Sequence, residues 1–220
     1  MKIDRHGRAK ILTPEEIRLL FYEGLQNPRD RTLFAVMLFC ALRVTEAVTL
    51  RTNDVYDRRR RVRSHLIVRK GNTKGKLATR EIPVLEDLRV WLKAYTPHPE
   101  STYLFPGRIK SRHLLADSAS LALRRACRRV DIEGVSTHSF RRTALSFMSN
   151  AGIPLRVIQE ISGHRTLDEL YKYLEVQPDQ LKGAVASLSL LSPIQMFGKS
   201  ALDELKDESP QSQKGKGQVP

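Results

Sequence analysis

Apolar positions along this chain recur with two different periods, and the residues between the runs mark where elements start and stop. Thr13-Pro14-Glu15-Glu16 predicts a helix start: Thr13 caps, Pro14 suits the first helical position, and Glu16 completes a capping box. That helix runs to about Tyr22. A second begins near Pro28-Arg29-Asp30, and its apolar stretch through Cys40 reads as buried all round. A short helix follows Arg43 and carries Glu46, Ala47 and Leu50. Ser64–Arg69 and Arg80–Val84 shift towards the alternation of strands, and Lys70-Gly71-Asn72-Thr73-Lys74-Gly75-Lys76 between them reads as a hairpin turn.

The helical pattern returns at Glu86–Tyr95 and breaks at Pro97 and Pro99. Asp117 is the expected cap of a helix reaching about Val130, with Leu121 and Leu123 buried and an Arg-rich outer face. A helix from near Ser139 to Asn150 is stopped by Ala151-Gly152, and Pro154 opens another that ends at Ser162-Gly163. Leu167–Leu174 and Pro178–Leu190 complete the helical stretches, the latter with an apolar stripe of Leu181, Val185, Leu188 and Leu191. Beyond Ser192 the composition turns to Ser, Gln, Lys, Gly and Pro, and Ser209–Pro220 is expected to be disordered. The pattern as a whole predicts an α+β fold, mostly helical, with a small antiparallel hairpin at one edge. Residues 1–191 form the expected domain and 192–220 a polar tail.

Charge changes the picture. The chain carries 38 Lys and Arg against 24 Asp and Glu, a formal net charge of +14. The tail from Ser192 holds four Lys and four acidic residues, so the whole excess belongs to the folded part. A folded cationic surface of that size points to nucleic acid. Cys40 and Cys127 have no neighbour at metal-ligand spacing, so no zinc site or disulfide framework is read, which suits a reducing cytoplasm. Met1–Lys10 lacks an apolar segment, and the longest apolar run, Leu33–Leu42, is ten residues, too short to span a bilayer. A soluble, cytoplasmic protein without membrane contact is expected.

Four short motifs carry candidate chemistry. In Ala41-Leu42-Arg43-Val44-Thr45-Glu46 an Arg ends a buried helix with Glu three residues on, and the pair either satisfies itself or meets an anion. In Thr137-His138-Ser139-Phe140-Arg141-Arg142, His138 and Arg141 share one face at a helix start, while Arg142 reads as a solvent-facing charge. Ile161-Ser162-Gly163-His164 puts a His just past a helix end, and Tyr171-Lys172-Tyr173 puts a Tyr nine residues after that His.

Taken in order, these motifs resemble the catalytic domain of the tyrosine recombinase (phage integrase) family, over roughly Thr13 to Leu190. The family pattern is Arg in a G/A-L-R-x-x-E context, a hairpin Lys, H-x-x-R, then G-H and a Tyr. The resemblance implies a site-specific DNA recombinase that cleaves and rejoins double-stranded DNA through a 3′-phosphotyrosine. Arg43 and Arg141 would clamp the non-bridging oxygens of the phosphate, which gather charge in the transition state. His138 and His164 would bond the same phosphate, one of them accepting the phenol proton, and Tyr173 would be the nucleophile. A hairpin Lys would protonate the departing 5′ oxygen. Lys74 lies nearest the family position counted back from Ile82-Pro83, with Lys70 and Lys76 as its competitors, and Tyr171 is the competitor of Tyr173.

Neither metal nor cofactor is implied. Lys70, Lys76, Arg124, Arg125 and Arg128 are expected DNA contacts, and the run Arg58–Arg63 is either that or a solvated loop. The family's separate N-terminal helical domain is expected to be absent, so a homo-multimer, a tetramer on synapsed sites, or a helper protein would hold the DNA. A supercoil-relaxing enzyme with the same chemistry, and a catalytically silent DNA-binding regulator or accessory factor with the same fold, are the competing functions.

Overall fold

The buried run that ends at Cys40 is the axis around which the protein is built. The computed structural model describes residues 9–72, 78–174 and 178–188. Helix α1 (Pro14–Leu19) has the expected capping box, with the Thr13 side chain accepting from the Glu16 N–H at 3.1 Å, and it widens into a π-helical turn at Leu20–Gly24. Helix α2 (Pro28–Phe39) is capped by Asn27, and Thr32 through Met37 are buried on every side. A helix apolar all round must lie inside its neighbours.

Two short helices follow, α3 (Val44–Val48) and α4 (Thr52–Val55). Strands β1 (His65–Val68) and β2 (Arg80–Pro83) pair antiparallel with Val68 opposite Arg80 and His65 opposite Pro83. The hairpin is therefore where its alternation placed it. Its turn, residues 73–77, which includes Lys74 and Lys76, lies outside the described residues. Helices α5 (Glu86–Ala94), α6 (Ala116–Arg129), α7 (Thr137–Asn150), α8 (Leu155–Ser162) and α9 (Leu167–Tyr171) complete the unit that ends at Glu175.

α5 and α7 pack on α2. Phe140 of α7 stacks on Phe34 of α2 with ring centroids 4.8 Å apart. This aromatic pair fixes α7 against the central helix, and residue 141 follows it directly. A smaller apolar cluster of Ala41, Leu145, Ile158 and Leu170 joins α7, α8 and α9, with Tyr173 and Leu174 packed against it. Both cysteines are free and buried, and burial pushes the thiols up to about 12 at Cys40 and about 11 at Cys127.

Several expectations need correction. α4 was not anticipated. Leu115, not Asp117, is the cap residue of α6, and Asp117 sits in the first turn. Leu123 is buried but Leu121 is 41% exposed, because α6 turns that flank outward. Arg142 is buried, 4% exposed, with its guanidinium donating to the Ala9 carbonyl, so it ties down the N-terminal segment and does not face solvent. α9 stops at Tyr171, so Tyr173 lies beyond the helix end.

Residues 176–220 form a second unit, in which Leu181 and Val185 of α10 (Pro178–Ala186) and Leu188 just after it are exposed. The polar tail, including 209–220, lies outside the described residues. Among the described residues no helix is long and apolar enough to cross a membrane.

Candidate active site

The local reason for Arg-x-x-Glu is a helix start. Arg43 is the cap residue of α3, and the Glu46 carboxylate reaches back to accept its backbone N–H at 2.9 Å and its guanidinium at 3.4 Å. Glu46 is fully buried. It also receives Arg80 Nη2 at 3.2 Å and lies 3.7 Å from Arg141 Nη1. One buried carboxylate thus faces three guanidiniums, which leaves the cluster strongly cationic.

Arg141 is the deepest of the three at 1% exposure. Its Nη1 donates to the Ala41 carbonyl at 2.6 Å and its Nη2 to the Ser162 carbonyl at 2.9 Å. Ala41 is held in the left-handed region at φ 49°, which turns the end of α2 towards that guanidinium. The conformation costs an L-residue about 1–2 kcal/mol, and the bond from Arg141 helps offset it. Burial lowers the Arg141 pKa, and the neighbouring Arg43 lowers it further.

His164 follows α8 through Gly163, whose φ of 64° is the left-handed helix end that glycine adopts without strain. Its Nδ1 is 2.8 Å from Ser162 Oγ and its Nε2 is 3.0 Å from Arg141 Nη2. A guanidinium can only donate, so Nε2 accepts and Nδ1 carries the proton. Burial, then Arg141, Arg43 and Arg80, push its pKa down to about 3. The ring is neutral at physiological pH.

Tyr173 is held by Leu170, which is fully buried three residues earlier and accepts the Tyr173 N–H at 2.9 Å. Its half-buried ring lies 5.0 Å from the His164 ring and 5.9 Å from the Arg141 guanidinium carbon. Tyr171, by contrast, is 54% exposed. Five residues expected from the sequence therefore divide in a simple way. Arg43, Arg141, His164 and Tyr173 meet in one cluster, whereas His138 is exposed in the first turn of α7. The tyrosine ring covers Arg141, so Arg43, with a side chain 21% exposed, is the guanidinium open to solvent.

Arg80 was missed. An Arg heading a strand carries no motif of its own, and its place in the cluster depends on segments far away in the chain. Lys70 is exposed in the short 3-10 turn after β1. Arg124, Arg125 and Arg128 are exposed on α6. Arg125 lines a basic cleft of about 810 Å³ with Arg29, Arg108, Lys110 and Arg129, none of which belongs to the cluster. Arg58–Arg61 form an exposed turn closed by Asp57, which accepts the Arg59 and Arg61 backbone N–H groups. Among the described residues no group of His, Cys, Asp and Glu is arranged to hold a metal.

The sequence model of the phage integrase family matches residues 10–180. The chain belongs to this family. Among curated relatives, the tyrosine recombinase XerA of Pyrococcus horikoshii is 28% identical over 189 residues, covering 84% of this chain and 63% of the relative. The chain thus spans less than two thirds of that family member. Among solved structures, a XerA recombinase aligns with a TM-score of 0.66 at 20% identity, over 85% of this chain and 66% of the other. The XerH site-specific recombinase, solved on a palindromic difH substrate as a post-cleavage complex, aligns with a TM-score of 0.61 at 18% identity, over 82% of this chain and 53% of the other. These likenesses show the recombinase catalytic fold, mostly helical with its small antiparallel sheet.

Proposed function

We propose that this chain is the catalytic domain of a tyrosine site-specific DNA recombinase, residues 1–191, which cleaves and rejoins double-stranded DNA through a covalent 3′-phosphotyrosine. The observation that carries this reading is the convergence of Tyr173, His164, Arg141 and Arg43 in one cationic cluster, drawn from segments as far apart as α3 and the turn after α9. A silent DNA-binding protein has no use for a tyrosine held against a buried guanidinium. That the XerH site-specific recombinase, similar in fold, was solved bound to a palindromic difH substrate supports a DNA partner here.

In the reaction, Tyr173 Oη attacks the phosphorus, the new O–P bond forms, and the bond from phosphorus to the 5′ oxygen breaks. Arg43 and Arg141 hold the non-bridging oxygens as they gain charge. The phenol proton passes to a histidine, His164 or the exposed His138, and a hairpin lysine protonates the leaving oxygen, with Lys74 preferred over Lys70 and Lys76. The chain's own residues supply every group, and bond energy is conserved in the phosphotyrosine. Assembly into a tetramer on paired sites, or a helper protein, completes the grip on DNA. Arg124, Arg125, Arg128, Lys70 and Lys76 contact backbone phosphates in this reading.

The test is a nicked suicide substrate made from DNA flanking the gene, scored for covalent protein–DNA adduct. Wild type forms adduct, Tyr173→Phe forms none, and Tyr171→Phe retains it. Adduct that survives Tyr173→Phe and vanishes in Tyr171→Phe overturns the assignment of the nucleophile. No adduct with the wild-type protein, together with tight binding to the same DNA, favours the silent regulator.

A further inference from the structure

Arg80 opens β2, where burial alternates so that Arg80 and Ile82 sit on the inward side and Glu81 on the outward side. An inward arginine is costly unless its donors are met. Here Nη1 donates to the Ser162 carbonyl at 2.9 Å and Nη2 to Glu46 at 3.2 Å, and the side chain is 10% exposed. The same Ser162 carbonyl takes Arg141 Nη2. One acceptor therefore joins a guanidinium from the hairpin to a guanidinium from α7, directly before the His164 turn. Glu46 joins the same two guanidiniums from the other side.

The path of Arg80 also explains Gly163. A Cβ at position 163 would fall 1.4 Å from Arg80 Nη1 and 2.5 Å from its Cζ. The glycine is needed for its left-handed backbone and again for the guanidinium that passes over it. Both terminal nitrogens of Arg80 are engaged, one on the turn that leads to His164 and the other on the carboxylate that faces Arg43 and Arg141. Its geometry is that of a clip.

We propose that Arg80 is a positioning residue, which acts through the Ser162 carbonyl and Glu46 to hold His164 and Arg141 in their mutual hydrogen bond. This rests on the reading of the cluster as a phosphodiester-cleaving site. In this assignment Arg80 acts through those two partners and not on the phosphate itself. It fixes the ring of His164 as the Nδ1–H tautomer with Nε2 turned to Arg141. The groups that face this ring are Ser162, Arg141, Arg43, Arg80 and Tyr173.

The test is nitrogen-15 NMR of the histidine rings in the full chain, with the His164 signals assigned by their loss in His164→Asn. Wild type is expected to show a single neutral Nδ1–H tautomer, with its midpoint far below the ordinary histidine value, at about 3. Arg80→Lys keeps the buried cation and therefore the electrostatic field, but one ammonium cannot span both acceptors. It is expected to give a mixture of tautomers and a midpoint raised by a unit or more towards about 6.5. Arg80→Met, which keeps the bulk without the charge, is expected to do the same to a larger degree. If Arg80→Lys keeps the single tautomer and the wild-type midpoint, whatever happens to its melting temperature and whatever the loss of charge does in Arg80→Met, the proposal is wrong and Arg80 is only a structural tie. The readout needs no DNA, so a wild-type protein that forms no phosphotyrosine would sink the functional reading while leaving this assignment to the NMR result.

Discussion

Glu46→Gln isolates what a single buried charge contributes to this cluster. Glutamine is nearly isosteric and its carbonyl can still accept the Arg43 backbone N–H, so the start of α3 survives. What disappears is the only carboxylate in contact with Arg43, Arg80 and Arg141 among the described residues. Arg141 is 1% exposed and cannot turn to water for compensation. Removing one partner of a buried ion pair costs about 3–5 kcal/mol, because the other charge is left desolvated. A domain of this size loses about 2–4 °C of melting temperature per kcal/mol. The expected drop is therefore of order 10 °C, measured by circular dichroism at pH 7, with the exposed Glu23→Gln as a control that shifts little. Because the pair is buried, the difference should persist in 1 M salt, where the Debye length is about 3 Å. A drop under about 2 °C, or one abolished by salt, would show that backbone carbonyls alone satisfy the three guanidiniums, and the electrostatic account of the site would fall.

Other outcomes follow from the same geometry. The folded protein keeps His164 neutral down to about pH 3 while the unfolded chain protonates it near 6.5, so the unfolded state binds the extra proton between those values. Stability from this group is unaffected above pH 6.5 and falls as the pH drops through the window; denaturant melts at pH 7 and pH 5 should show a smaller loss for His164→Asn than for wild type, and an equal loss would contradict the assignment. Leu170→Ala removes a fully buried anchor of α9 and is expected to cost about 2–5 kcal/mol. The variant should also lower adduct yield at temperatures where it remains folded, since Tyr173 hangs from that residue; unchanged yield would mean that the DNA alone places the tyrosine. Ala41→Val puts a β-branched residue at φ 49° and should destabilise by about 1–3 kcal/mol, whereas Ala41→Gly should be close to neutral in urea melts.

The fold was largely legible from local chemistry. Helix starts at Thr13 and Pro28, the hairpin strands, and the stop at Gly163 are encoded within a few residues, because caps, turns and periodicity act over one turn of chain. The same locality explains why Arg43, His164 and Tyr173 could be named: each sits in a short motif beside a helix end. It also explains the errors. The extension of α9 to Leu174 followed an apolar pattern that the protein uses for packing beyond the helix, not for continuing it.

What the sequence by itself determined is the order of elements, the cationic character of the folded part, and the residue types a phosphate-transfer site requires. Tertiary structure alone decided which arginines are buried. Arg141, Arg142 and Arg80 have the same side chain as the exposed Arg124 and Arg128, yet each is held by a carbonyl or carboxylate from elsewhere in the chain. The cost of burying a guanidinium is met by such distant acceptors, and nothing in the flanking residues announces them. For that reason Arg80, whose partners Glu46 and Ser162 lie on either side of it in the chain, could be recognised only once the hairpin was folded against α8.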